Sequence, residues 1–519
     1  MLVLVAVGSF GYATYYYDES PQKVWRRAIL YVEELSASKA APTPTETTPI
    51  EIPASEQRAE SKQAPTKEAT ASSPTTSAVA PKSANDSWTP PAVVPNQTMT
   101  GKVMTGYQGW FNAPGDGAGF DWRHFGDTPG NVDFEMWPDM TELGPGERFP
   151  THFKHKDGQV AELFSSYKEA TVLRHFKWMR DYGLDGVFLQ RFASQLRDPQ
   201  RKNHVDAILG HVRKGAKEYG RVYGMMYDLS AVKEGHMQPV IDDWKWLVDN
   251  THLTKDDRYV RHNGKPVVVL WGLGFSGRRD PLLDDGLKFV QFLKNDPVYG
   301  GNVVMIGVPW QWRTTDTALI PFAKMKALIA AADIVSPWSV GGPHTPEEIP
   351  KKYETVVRPD IEWCKAHDKE YMPVVFPGFS WYNLRRGTEP SNPIPRQGGR
   401  YLWTHYLEAK RADATMVYQA MFDEVDEGTA IFKVTNDPPD GAGKSQFVTY
   451  EGLPSDFYLK LVGQAGRLIR GEITPEDDKL VKNAQWKPFV PALPVVPGTP
   501  TPASATPLPA KPANSSATP

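Results

Sequence analysis

From residue 99 to residue 486 the chain alternates short β-branched or aromatic runs with stretches of helical spacing. The runs are Val103–Trp110, Gly186–Gln190, Val222–Tyr227, Pro266–Trp271, Val303–Val308, Ile334–Pro337, Met372–Phe376 and Met416–Phe422. Between them apolar residues recur at three- and four-residue intervals, as Val172, Phe176 and Met179 do within Tyr167–Tyr182. The other helical stretches lie near His204–Tyr219, Pro239–Asn250, Leu283–Asn295, Ile320–Ala332, Pro346–His367, Arg400–Ala412 and Ser455–Arg470. Eight strand signals alternating with eight helix signals predict an α/β chain closed into a (β/α)8 TIM barrel with long loops. A doubly wound open sheet would need a phosphate or dinucleotide motif at its switch point, and none occurs.

Outside that block the composition changes. Ten of the 47 prolines fall in residues 38–98 and ten more in 487–519, and no Phe, Tyr or Trp occurs from Val32 to Ser87. Segments so poor in bulky apolar groups cannot offset the entropy of ordering. Residues 38–98 therefore read as a disordered linker and 487–519 as a disordered tail. The first 17 residues carry no charged side chain, and Lys23, Arg26 and Arg27 come after them. This pattern predicts a signal or anchor at 1–17, then a short amphipathic juxtamembrane segment at 18–37. The chain is accordingly expected to be exported, either tethered to a membrane or secreted. A near balance of 58 basic and 61 acidic side chains argues against a nucleic-acid partner. One cysteine, Cys364, excludes an internal disulfide and a Cys-rich zinc site. Oligomeric state is not legible.

In such a barrel chemistry gathers at the C-terminal strand ends. Those ends carry Tyr107 and Trp110, Gln190 and Arg191, Asp228, Trp271, Trp310, Trp338, and Trp381 with Tyr382. Tryptophan faces cover the apolar face of a pyranose ring while polar neighbours hydrogen-bond its hydroxyls. The group is therefore a candidate sugar-binding rim by its shared position, although each tryptophan taken alone reads first as core. His152-Phe-Lys-His155 lacks a third metal ligand nearby, and the glycine-rich loop at 114–119 lacks the Lys-Ser/Thr of a phosphate loop. No cofactor is expected.

After the eighth run comes Asp423-Glu424-Val425-Asp426-Glu427-Gly428-Thr429, with four carboxylates in five residues. Crowding of this kind raises at least one pKa, which suits an acid working near neutral pH. Glycosidic hydrolysis needs two carboxyl groups, and Glu424 and Glu427 are the candidates. Asp423 and Asp426 would contact substrate or tune the pair. A cation site or a capping cluster fits the same spacing.

The segment resembles the signature of glycoside hydrolase family 99, the endo-α-mannosidase and endo-α-mannanase family, and more loosely family 71 barrels. There an Asn-Glu-Trp-His-Glu-Gly-Thr run comes after the last strand. Both glutamates, their spacing and the Gly-Thr are kept here, while Val425 and Asp426 replace the Trp-His pair. The resemblance implies a retaining hydrolase of poly- or oligosaccharides. Glu424 would be the base acting on the sugar 2-hydroxyl through a 1,2-anhydro intermediate, and Glu427 the general acid/base. A divergent member acting on another polysaccharide is the reading these replacements favour. The alternatives are a non-catalytic carbohydrate-binding barrel and a barrel hydrolase of another class.

Overall fold

The computed structural model describes residues 88–275 and 281–488. Contacts divide the chain into Met1–Thr89 and Pro90–Pro519, and the barrel lies in the second unit. The expected anchor at 1–17, the juxtamembrane segment at 18–37, most of the linker and nearly all of the tail lie outside the described residues. Among the described residues no helix is long and apolar enough to cross a membrane.

The sheet is parallel throughout its barrel strands. In chain order these are β1 (Val103–Tyr107), β2 (Gly186–Phe192), β3 (Val222–Asp228), β4 (Lys265–Trp271), β5 (Val303–Pro309) and β6 (Ile334–Trp338). Two short pieces come next, β7 (Glu370–Tyr371) and β8 (Val374–Val375), and then β9 (Val417–Gln419). Each strand from β1 to β6 pairs with its successor, while β8 pairs with β9 and β9 with β1. The ring closes through one continuous segment whose first half bonds to β6 and whose second half bonds to β9. Between the halves, Met372 N donates to Val335 O at 2.9 Å and Tyr418 N donates to Pro373 O at 2.9 Å. Pro373 has no N–H to donate, which is why the expected single strand Met372–Phe376 appears as two pieces. These strands read as near-continuous buried runs, as a sheet covered on both faces requires.

The covering helices are α1 (Glu169–Tyr182), α2 (Pro199–Glu218), α3 (Gln238–Thr251), α4 (Leu283–Asn295), α5 (Phe322–Ala331), α6 (Glu348–Lys352), α7 (Arg358–Ala366), α8 (Arg400–Arg411) and α9 (Phe457–Arg470). The helix expected over Pro346–His367 is interrupted by a wider π turn at Tyr353–Val357. Pro359 supplies the cause, since its ring removes an N–H and crowds the carbonyl four residues back. Two antiparallel hairpins, Gly126–Thr128 with Asn131–Val132 and Phe149–Lys154 with Val160–Leu163, fill the long connection from β1 to α1. No expectation covered them.

The folded unit also begins earlier than residue 99. Val94 is buried and its N–H donates to Gly220 O at 2.8 Å. Arg221 donates to the carbonyls of Pro91 and Ala92, and Arg261 N donates to Asn96 O at 2.7 Å. A proline-rich stretch keeps its carbonyls free of internal bonds, so it can be held by arginines on a barrel floor. Composition alone cannot separate that use from a linker, and residues 90–98 belong to the barrel.

Helix α9 lies directly on the end of α1. A Cβ at Gly463 would stand 1.9 Å from the Tyr182 carbonyl oxygen, so only glycine permits this approach. Gly463→Ala is expected to lower the unfolding free energy by about 1–3 kcal/mol, read by urea denaturation. An unchanged midpoint would mean that the two helices are not in contact there.

Candidate active site

The acidic run begins four residues past the end of β9, and its loop folds back onto β1. Phe422 N donates to Gly106 O at 2.7 Å, keeping the chain beside β1 until the carboxylates start. Asp423 is fully buried; its Oδ1 accepts from Gln108 N at 2.8 Å and its Oδ2 from Gly109 N at 2.9 Å. Burial pushes this carboxyl up to about 7, against the pull of those two donors.

Glu424 is 5% exposed. Its Oε1 accepts from Gln108 Nε2 at 2.5 Å and its Oε2 from Thr429 Oγ1 at 2.7 Å. Burial, then the neighbouring Glu427 and Asp426 carboxylates, holds it well above the ordinary glutamate range. Asp426, also buried, is raised by burial and drawn back by His124, whose Nδ1 lies 3.4 Å away. The His124 ring stacks on Trp110 at 3.8 Å between centroids, and Trp110 stacks on Phe192 at 4.8 Å. Glu427 is half-buried, the most open of the four, and its carbonyl accepts from Ser380 N at 3.0 Å.

The loop is held from behind. Gly428 has φ +67°, and a Cβ there would press on Ser380 N at 3.2 Å. Glycine is therefore required between Glu427 and Thr429. Arg396 is buried and donates to the carbonyls of Gly428 and Ala430, each at 2.7 Å. Glu135 braces the other side. Its N–H donates to Val425 O at 2.8 Å, and its carboxylate accepts from Ser380 Oγ and Asn383 N, both at 2.7 Å. Burial pushes Glu135 up to about 7.

The expected rim residues separate into three groups. Trp110, Asp423, Glu424, Asp426 and Glu427 form one constellation with Gln108 and His124. A second occupies the barrel mouth, where the pairing register sets Phe192, Asp228 and Trp271 side by side. Trp271 meets Trp338 edge-on at 5.4 Å, and Trp338 meets Tyr418 at 5.9 Å. Gln190 reaches the Tyr418 hydroxyl from below at 3.4 Å, and Asp228 Oδ1 accepts from Ser230 N at 2.9 Å. Tyr418 joins the two groups electrostatically, since the Glu424, Asp423 and Asp228 charges all act on it. Trp381 and Tyr382 lie on the loop that braces Glu427, with the Arg385 guanidinium 4.6 Å over the Trp381 ring. Trp310 is half-buried on the loop after β5.

Tyr107 and Arg191 do not reach the rim. Tyr107 is fully buried with its hydroxyl 2.9 Å from Nδ1 of His175, an imidazole that burial holds neutral, at about 3. Arg191 is 1% exposed and pairs with Asp243 through Nε at 2.7 Å and Nη2 at 2.5 Å, and with Asp206 at 2.6 Å. Alternate residues of a strand face opposite sides, so Gln190 facing the mouth sends Arg191 outward to the helices. Nor is Asp423 open to a sugar, because both its oxygens are bound to backbone N–H groups. Missed entirely were Gln108, His124, Glu135, Arg396 and Thr429. Only Gln108 and Thr429 carried a signal, lying within the strand-end and acidic motifs.

No family model and no curated protein matches the chain. Among solved structures it is similar to an endo-α-mannosidase of glycoside hydrolase family 99 from Bacteroides thetaiotaomicron. The TM-score is 0.53 at 14% identity, covering 72% of this chain and 99% of that one. A second structure of that enzyme, with bis-tris propane bound, gives 0.52 at 15% identity over 72% and 99%. At these identities the likeness is one of fold alone, that of a (β/α)8 barrel.

This geometry sets two expected outcomes. A carboxyl whose pKa is higher in the folded than in the unfolded chain holds its proton more tightly when folded. Its stabilising contribution is complete below the unfolded value and is lost as pH rises through the folded one. For Asp423 that window runs from 3.8 to about 7. Tm should fall across it, and Asp423→Asn should flatten part of the fall in scanning calorimetry. Arg191→Leu would leave the buried Asp243 with Lys202, 3.8 Å away, as its remaining cation and is expected to cost about 3–5 kcal/mol in denaturant unfolding, a loss no surface ligand residue would give.

Proposed function

We propose that this chain is a glycoside hydrolase that cleaves a poly- or oligosaccharide by a retaining mechanism, with Glu424 and Glu427 as its working pair. The observation that carries this reading is the different treatment of the two glutamates on one loop. Both Glu424 oxygens accept hydrogen bonds, which lowers the cost of ionising a carboxyl that burial raises and suits it to the part of base. Glu427 is the more exposed partner of the two. Hydrolysis of a glycosidic bond requires one group of each kind.

In the proposed sequence Glu424 takes the proton of the sugar 2-hydroxyl as that oxygen attacks the anomeric carbon, and Glu427 protonates the departing oxygen. A 1,2-anhydro sugar results. Glu427 then takes a proton from water as its oxygen attacks the anomeric carbon, the anomeric carbon's bond to the 2-oxygen breaks, and Glu424 returns its proton to that oxygen, which restores both carboxyl groups and the starting configuration. Trp271 with Trp338 across the mouth supply apolar faces for sugar rings, while Trp110, stacked on His124 and Phe192, stiffens the wall beside the pair. Asp228 and Gln190 line the same mouth and are the candidate hydroxyl partners. The fold shared with an endo-α-mannosidase supports an α-linked substrate. The apolar N-terminus supports export or tethering, with the linker giving reach.

The test is a screen of the full chain against α- and β-linked polysaccharides, with product configuration read by proton NMR. Glu424→Gln and Glu427→Gln are each expected to reduce turnover by about 10²–10⁴-fold. Full activity in either variant sinks the assignment of that residue. Saccharide binding by calorimetry with no turnover in the natural chain would establish a binding barrel instead.

A further inference from the structure

Glu424 faces an unfavourable set of neighbours. Asp423, Asp426 and Glu427 lie on its own loop, and Tyr418 stands on β9 below it. Asp228, on β3, acts on Tyr418, and Glu135, from the β1–α1 connection, acts on Asp426. His124, on that same connection and able to carry a positive charge, is paired with Asp426. Nothing among these neighbours favours an ionised Glu424. Two neutral donors do, one on each oxygen. Gln108 presents Nε2 at 2.5 Å, and its own backbone N–H is fixed on Asp423, so the side chain leaves β1 in a set direction. Thr429 presents Oγ1 at 2.7 Å from the turn that Gly428 makes possible.

We propose that Gln108 and Thr429 are positioning residues that lower the cost of ionising Glu424 and fix both of its oxygens, so that its basicity is tuned by two uncharged donors. This deepens the reading of Glu424 as the base, and rests on that reading for its consequence in catalysis. The balance is otherwise adverse, because burial and the neighbouring carboxylates both favour the protonated acid. A neutral donor lowers the cost of ionisation without giving Glu424 a cation that would quench it as a base. The other end of the Gln108 amide, Oε1, is buried without a partner, so the carboxylate alone orients it.

The test does not need a substrate. Thermal unfolding of the full chain is measured from pH 4 to pH 9 for the natural protein, Gln108→Met, Glu424→Gln and the double variant. The coupling between positions 108 and 424 is expected to grow as Glu424 ionises. Thr429→Val, nearly isosteric, is expected to couple to Glu424 with the same pH dependence. If Gln108→Met does not fold, Gln108→Asn, which withdraws the amide, replaces it. Couplings that stay flat with pH overturn the proposal, since a packing role would be indifferent to ionisation. On whichever polysaccharide the screen finds cleaved, the acidic limb of kcat/KM should move up by about one to two pH units in both variants, with KM little changed. An unmoved limb beside an inactive Glu424→Gln overturns this inference and leaves the catalytic pair standing. Full activity of Glu424→Gln removes the catalytic reading while the pH-dependent coupling still stands or falls alone.

Discussion

The grip of two backbone N–H groups on the Asp423 carboxylate is the contact on which the site depends. Gln108 and Gly109 leave β1 where its pairing with β2 runs out, and their amides would be orphaned at the barrel mouth. Asp423 takes both. The bond fixes the loop after the last strand onto the first strand, at the seam where the ring closes. It also sets the chain direction on each side of the seam. The Gln108 side chain comes to Glu424, and the loop must turn at Gly428 before Thr429 can reach back. A side chain unable to accept two hydrogen bonds at 423 would free the loop from β1 and with it the position of both glutamates.

Much of the scaffold could be read from the chain because parallel strands buried on both faces are written as continuous apolar runs. The expected runs from Gly186–Gln190 to Ile334–Pro337 match β2 to β6 within two residues at either end, and the run at Val103 begins with β1. What the runs hide is facing. A strand buried on both sides gives no polar alternation to show which residues look into the mouth, so Gln190 and Arg191 looked equally suited to a sugar. Register settles it, and register is a property of the neighbours. Tyr107 failed as a rim residue for the same reason: an aromatic near a strand end is as useful to the helix layer as to the cleft.

The connection from β1 to α1 was the least legible part. Its hairpins are only two to six residues to a strand, too short for a periodic signal. Yet this connection supplies His124 and Glu135, both of which act on the acidic loop from far away in sequence. The pairings His124 with Asp426 and Glu135 with Val425 span about 300 residues, and no spacing argument reaches that far. The acidic loop itself was legible because its chemistry is compressed into seven consecutive residues.

Four carboxylates in five residues would expel one another from a barrel mouth if each relied on the same remedy. Each has a different one here. Asp423 is pinned by backbone amides, Glu424 by an amide and a hydroxyl, Asp426 by an imidazole stacked on Trp110, and Glu427 by keeping partial access to solvent. The remedies are graded in how much proton chemistry they leave. Backbone amides are spent on a group that then cannot reach a ligand. An imidazole answers to pH, so the hold on Asp426 tightens only when His124 is protonated. Neutral donors leave a carboxylate basic, and solvent leaves it able to exchange protons. The proposed base and acid, three residues apart, need just those last two conditions, and the two aspartates hold the loop where both can be met.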